Sequence, residues 1–312
     1  MEGSTREAYG KTLVELGEEN PDIVVLDADL SKSTMTRLFA EKFPGRFFDC
    51  GIAEQNMISI AAGLAASGKT VFASTFAVFA PGRCFDQIRM SVAQPGLNVK
   101  IVTSHGGITV GEDGTSHHAI EDLALACSFP GLNVVVPADA AEVDQAVRAA
   151  AETYGPFYIR LTRPKTPMVY PPDYQFNLGK AATLRKGKDV TVIGIGIMVA
   201  VALEAARNMA RDGIDCRVLS MSTLKPLDED AIAKAARETG AIVTAEEHTR
   251  RGGLGSAVAQ VVAEQQPVAM SFIAINDTYV KSGKPRKLLQ EQGLTAARIE
   301  DAARSLVLKG SR

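Results

Sequence analysis

Short apolar runs rich in β-branched residues recur along this chain, each separated from the next by stretches that include helical spacing. They are IVVLDADL at 23–30, then KTVFAST, NVKIVTS, LNVVVPAD and PFYIRLT, with a helix beginning at Glu54 between the first two. A strand that is apolar on both faces must be covered on both, and parallel strands need helical crossovers that supply the cover. The rhythm predicts an α/β fold of mostly parallel sheets flanked by helices. It breaks at RPKTPMVYPPDYQFNLG, where four prolines exclude a regular element. It then resumes with DVTVIGIG, a helix near 197–212, IDCRVLSM, a helix near 228–239, GAIVTAEE, a helix from about Gly253, VAMSFIAIND and two closing helices. We read a first domain over 1–165, a linker over 166–180 and a second, smaller α/β domain over 181–312, since 312 residues exceed one small core.

Composition narrows the partners. With 22% charged residues and a formal net charge of -2, neither a nucleic-acid surface nor a polybasic membrane patch is suggested. MEGSTREAYG has no apolar h-region and no run approaches a membrane span, so a cytoplasmic protein is expected. Cys50, Cys84, Cys127 and Cys216 share no metal or disulfide spacing and read as small buried hydrophobes.

Four stretches could carry chemistry. In FFDCGIAEQNM a nearly all-apolar helix opens on Glu54; the ordinary reading is an acid complementing the helix dipole. SHGGITVGEDGTSHHAIEDLA is a long Gly-rich loop between a strand and a helix, where open α/β sheets bind ligands, and it holds His105, Asp113, His117 and His118. Those residues could form turns, ligate a metal or read a substrate, although no compact metal motif is matched. Phe76 and Phe79 stand three apart past a strand end and suit either core packing or a wall for a ring. Arg160 and Arg163 in YIRLTRP suit phosphate binding or a solvated domain border. GIGIMVA has only two glycines of the dinucleotide fingerprint and no acid after the next strand, so it reads as a tight turn.

Together GIAEQNM, STFAVF, SHGGITVGEDGTSHHAIED and AEEHTRRGGLGSAV resemble the C-terminal half of transketolase, specifically the small subunit of split transketolases, over essentially the whole chain. The resemblance implies a pyrimidine-binding domain followed by the transketolase C-terminal domain, with thiamine diphosphate as cofactor. It implies that Glu54 binds N1' of the aminopyrimidine and favours the imino tautomer that deprotonates thiazolium C2; a carboxyl with a raised pKa in a partly apolar site suits that task. Phe76 and Phe79 then pack on the pyrimidine, while a third aromatic of the family pattern is Gly82 here. Asp113 and His117 correspond to readers of the donor's hydroxyls, and His105, Arg163 and Arg6 to holders of the sugar phosphate. A family serine at that phosphate is Asp27, and a carboxylate there would repel phosphate.

The family holds the diphosphate through Mg2+ on a Gly-Asp-Gly motif in its N-terminal half, and this sequence has no such motif. The resemblance therefore implies an N-terminal partner subunit, with a homodimer of this chain inside a heterotetramer. The implied reaction transfers a two-carbon ketol unit from a ketose phosphate to an aldose phosphate, within the pentose phosphate pathway. Alternatives are the β subunit of a 2-oxoacid dehydrogenase E1, a deoxyxylulose-phosphate-synthase-like enzyme, or a non-catalytic regulatory subunit. GEDGTSH, with an acid and a histidine for sugar hydroxyls, separates the first from transketolase.

Overall fold

The computed structural model describes residues 1–171 and 173–310. Pro172 of the linker, and Ser311 and Arg312 at the end of the second domain, lie outside the described residues.

Two sheets organise the chain. The first runs Thr223–Lys225, Asn133–Val135, Phe157–Arg160, Val99–Ser104, Thr70–Phe76, Ile23–Asp27, Phe47–Asp49, parallel except for the antiparallel edge at Thr223–Lys225. The second runs Ala269–Ile275, Ala241–Thr249, Val190–Gly194, Cys216–Ser220, Ala182–Arg185, antiparallel only at its last pair. Every residue of Ile23–Asp27 and Thr70–Phe76 is buried, as strands covered on both faces require. The α/β class expected from the apolar rhythm is the one observed.

Two details were not anticipated. Thr223–Lys225 leaves the second half of the chain to extend the first sheet. Within the proline-rich segment, Thr166–Pro167 pairs with Glu2–Gly3, closing the N-terminus against it. One apolar cluster joins Leu123, Ala126 and Phe129 of the first half to Met221, Leu224 and Leu254 of the second, so the halves share a core.

Local signals fix the helices that frame the site. Ser4 caps Thr5–Glu19 by accepting from the Glu7 amide, which places Arg6 in the first turn. Helix Glu54–Ala66 has no side-chain cap and buries Met57, Ile58, Ala61 and Ala65, which turns its first residue toward the sheet end. Phe76, His105 and Asp27 all lie at the carboxyl ends of parallel strands, where ligands bind in open α/β sheets.

Candidate active site

Glu54 is 3% exposed, and Nη1 of Arg83 donates to its carboxylate at 2.9 Å. The same guanidinium lies over the Phe79 ring, 4.2 Å from its centroid. Sequence reading missed Arg83 and foresaw a carboxyl among apolar groups; the structure sets a planar cation against it. That cation also tests whether a cofactor ring fits: one flat, nitrogen-edged group touches the carboxylate and the aromatic face at once, as an aminopyrimidine would need to.

Phe76 and Phe79 stack with centroids 5.8 Å apart. Phe76 also stacks on His105 at 3.8 Å, and the His117 ring meets Phe79 edge-on at 5.4 Å. The aromatic pair thus links the Glu54 end of the site to the Gly-rich loop. His105 takes a left-handed backbone, φ 62°, which is uncommon for a residue with a side chain and concentrates at functional sites.

Beyond His105 the site is basic. Arg6 donates to the carbonyls of Ser33 and Arg163, at 2.8 and 3.0 Å, and its buried Nε has no hydrogen-bond partner. Arg163 donates to the Val110 carbonyl and lies 3.9 Å from Asp113 and 3.6 Å from Glu112. Burial, then the Arg163 charge, lowers the Arg6 pKa. Burial, then the charges of Arg6 and Arg163, pushes the His105 pKa down to about 3. Two arginines and a neutral imidazole held this close present a place for an anion.

The His105 shift has a measurable consequence. Because its folded value lies below the ordinary 6.5, its stabilising contribution is complete above pH 6.5 and is lost as the pH falls toward 3. Between pH 6.5 and 4.5, His105→Asn is expected to lose about 2 kcal/mol less stability than the unaltered chain. Asparagine tolerates the left-handed backbone, so urea unfolding at the two pH values measures the difference. An identical pH dependence in both proteins would refute the assignment.

Asp27 is held by its own segment of chain. Its oxygens accept from the Leu30 amide at 2.6 Å and the Thr34 and Thr36 hydroxyls at 2.7 and 2.9 Å, inside the chain's own turn. Burial raises its pKa to about 6 despite these bonds. These bonds fix the carboxylate inside that turn. Arg160 is neither a phosphate ligand nor solvated: it is buried, pairs with Asp122 at 2.9 Å and donates to the carbonyls of Ala119 and Glu247. The His118 ring sits between the carbonyls of Val280 and Gly111, binding loop to second half.

A buried acid beside an aromatic pair, followed by a basic pocket at the strand ends, suits the pyrimidine-binding half of a cofactor enzyme. Residues 2–168 match the family described as transketolase, pyrimidine binding domain, and 179–299 match transketolase, C-terminal domain. This chain belongs to the transketolase family, which is of the transferase class and uses thiamine diphosphate. A protein of Methanocaldococcus jannaschii, provisionally named a transketolase C-terminal section, is 46% identical over 297 residues, covering 94% of this chain and 93% of its own length. A 6-deoxy-6-sulfo-D-fructose transketolase subunit of Clostridium sp. is 43% identical over 298 residues, covering 96% and 92%. A solved structure described as a split gene transketolase, inactive beta4 tetramer, is 53% identical with a TM-score of 0.92, covering 98% of this chain and 99% of that one. The chain spans about half the length, 49%, of mammalian transketolases it matches.

Proposed function

We propose that this chain is the C-terminal subunit of a split transketolase. It reversibly transfers a two-carbon ketol unit from a ketose phosphate to an aldose phosphate, in cytoplasmic pentose phosphate metabolism. The observation that carries the reading is the near end-to-end match to a split-gene chain, together with a site that has acid, aromatic wall and basic pocket. The relative's description as an inactive beta4 tetramer supports the need for a second chain. We assign the diphosphate and Mg2+ site to that N-terminal partner, in a heterotetramer built on a homodimer of this chain. All four cysteines are free, which suits a reducing compartment, and no described helix is long and apolar enough to cross a membrane. We take the domain borders to be 1–165, 166–180 and 181–312.

Thiamine diphosphate, when bound, supplies the carbanion chemistry. Glu54 would hold the proton shared with pyrimidine N1', the position at which its carboxylate now accepts from Arg83. Phe76 and Phe79 would supply the apolar wall for the ring. Asp113 and His117 orient the donor hydroxyls, while Arg6, Arg163 and His105 bind its phosphate and fix its reach into the site. With its partner, thiamine diphosphate and magnesium, the chain should convert xylulose 5-phosphate and ribose 5-phosphate. A cofactor-loaded complex that consumes pyruvate and no sugar phosphate would overturn the reading.

A further inference from the structure

None of the proposed site residues lies beyond residue 180, yet that later part of the chain grips the Gly-rich loop. Oε1 of Glu247 accepts from the Thr109 amide at 2.6 Å, and Oε2 from the Thr109 hydroxyl at 3.2 Å. Glu247 is buried against the bare Cα of Gly107, where an added Cβ would lie 2.1 Å from its carboxyl carbon. Gly106 is equally filled from beneath, since a Cβ there would meet Arg160 Nε at 2.3 Å. This explains two adjacent glycines directly after His105: one rests on a guanidinium and the other on a carboxylate. Farther along, Ser282 donates to the Glu112 carbonyl at 2.6 Å and Thr115 to the Val280 carbonyl at 2.8 Å.

The neighbours of Glu247 in AEEHT have separate tasks. Glu246 accepts from the amides of Leu254 and Gly255 at the start of helix Leu254–Gln265, and His248 accepts from the Ala124 amide. Of these three side chains, Glu247 is the one that bonds within 105–118, the part of the loop that carries His105, Asp113 and His117.

We propose that Glu247 is a positioning residue for donor-sugar recognition, acting through Thr109 and Gly107 to set the loop that presents His105, Asp113 and His117. Its kinetic part rests on the transketolase reading; its structural part does not. The carboxylate never reaches substrate. It holds backbone whose displacement by an ångström would misplace three side chains together. Its side-chain bonds go to Thr109, and none goes to Glu54, Phe76 or Phe79.

The test combines exchange and kinetics. On the chain alone, hydrogen exchange should show Glu247→Ala losing protection at the Thr109 amide and across 105–118 by at least about tenfold, with Thr70–Phe76 still protected. In the reconstituted complex the same variant should raise donor KM about tenfold or more, with thiamine diphosphate affinity unchanged. Glu247→Gln, which still accepts from the Thr109 amide, should recover most of both. If Glu247→Ala does not fold, Thr109→Val with Glu247→Gln forms a double-mutant cycle, and non-additive KM effects support the link. Unchanged loop exchange overturns the proposal whatever the assay shows. Loop loosening without any measurable sugar turnover in the parent complex instead counts against the transketolase reading. Additive effects, or equal weakening of cofactor binding, also overturn the positioning role.

Discussion

Glu54→Ala is expected to lower kcat of the reconstituted complex about 10³-fold while leaving the thermal midpoint of this chain nearly unchanged. The rate estimate is the usual scale for losing a positioned proton partner, about 10²- to 10⁴-fold. Glu54 is the buried carboxylate at the Phe79 face, and its charged neighbour is Arg83. Arg83 is 44% exposed in its side chain, so once the carboxylate is gone its charge rehydrates and little stability is lost. Glu54→Gln should be nearly as slow, because an amide keeps the shape but cannot share the N1' proton. Steady-state kinetics alongside thermal melting measure both quantities. Turnover at the parent rate in either variant would make this chain a scaffold.

Arg163→Ala is expected to raise KM for a phosphorylated donor between about 10- and 100-fold, with kcat little changed. A charge-assisted hydrogen bond is worth about 1.5–3 kcal/mol, which converts to that range. Arg6 donates to the Arg163 carbonyl, and burial together with the charges of both arginines keeps His105 neutral. The phosphate-free ketol donor hydroxypyruvate should show almost no KM change, since it has nothing for the guanidinium to bind. An equal rise for both donors would show instead that Arg163 supports the loop, through its bond to the Val110 carbonyl.

Much of the framework was legible because its cause is local. Strands such as Ile23–Asp27 and Thr70–Phe76 are buried on both faces, and that constraint is written as an unbroken apolar run. Glu54 was legible as an acid at the head of an apolar helix, and the structure buries it beside Phe79 through Arg83. Arg83 itself left no pattern, being a half-exposed arginine 29 positions from its partner. The partners of Asp27 were not legible, because only the turned chain brings Thr34 and Thr36 onto its oxygens. Glu247 and Thr109 are 138 positions apart, and no periodicity in one sequence encodes such a pairing. Arg160 shows the same limit: its burial depends on Asp122 and on a carbonyl from the second half.

In the proposed assembly the active site is divided between two chains. The most direct measurement is turnover of xylulose 5-phosphate with ribose 5-phosphate by this chain alone, by its N-terminal partner alone and by their mixture, each with thiamine diphosphate and magnesium. Activity confined to the mixture is the predicted result. Full activity from this chain alone would contradict it.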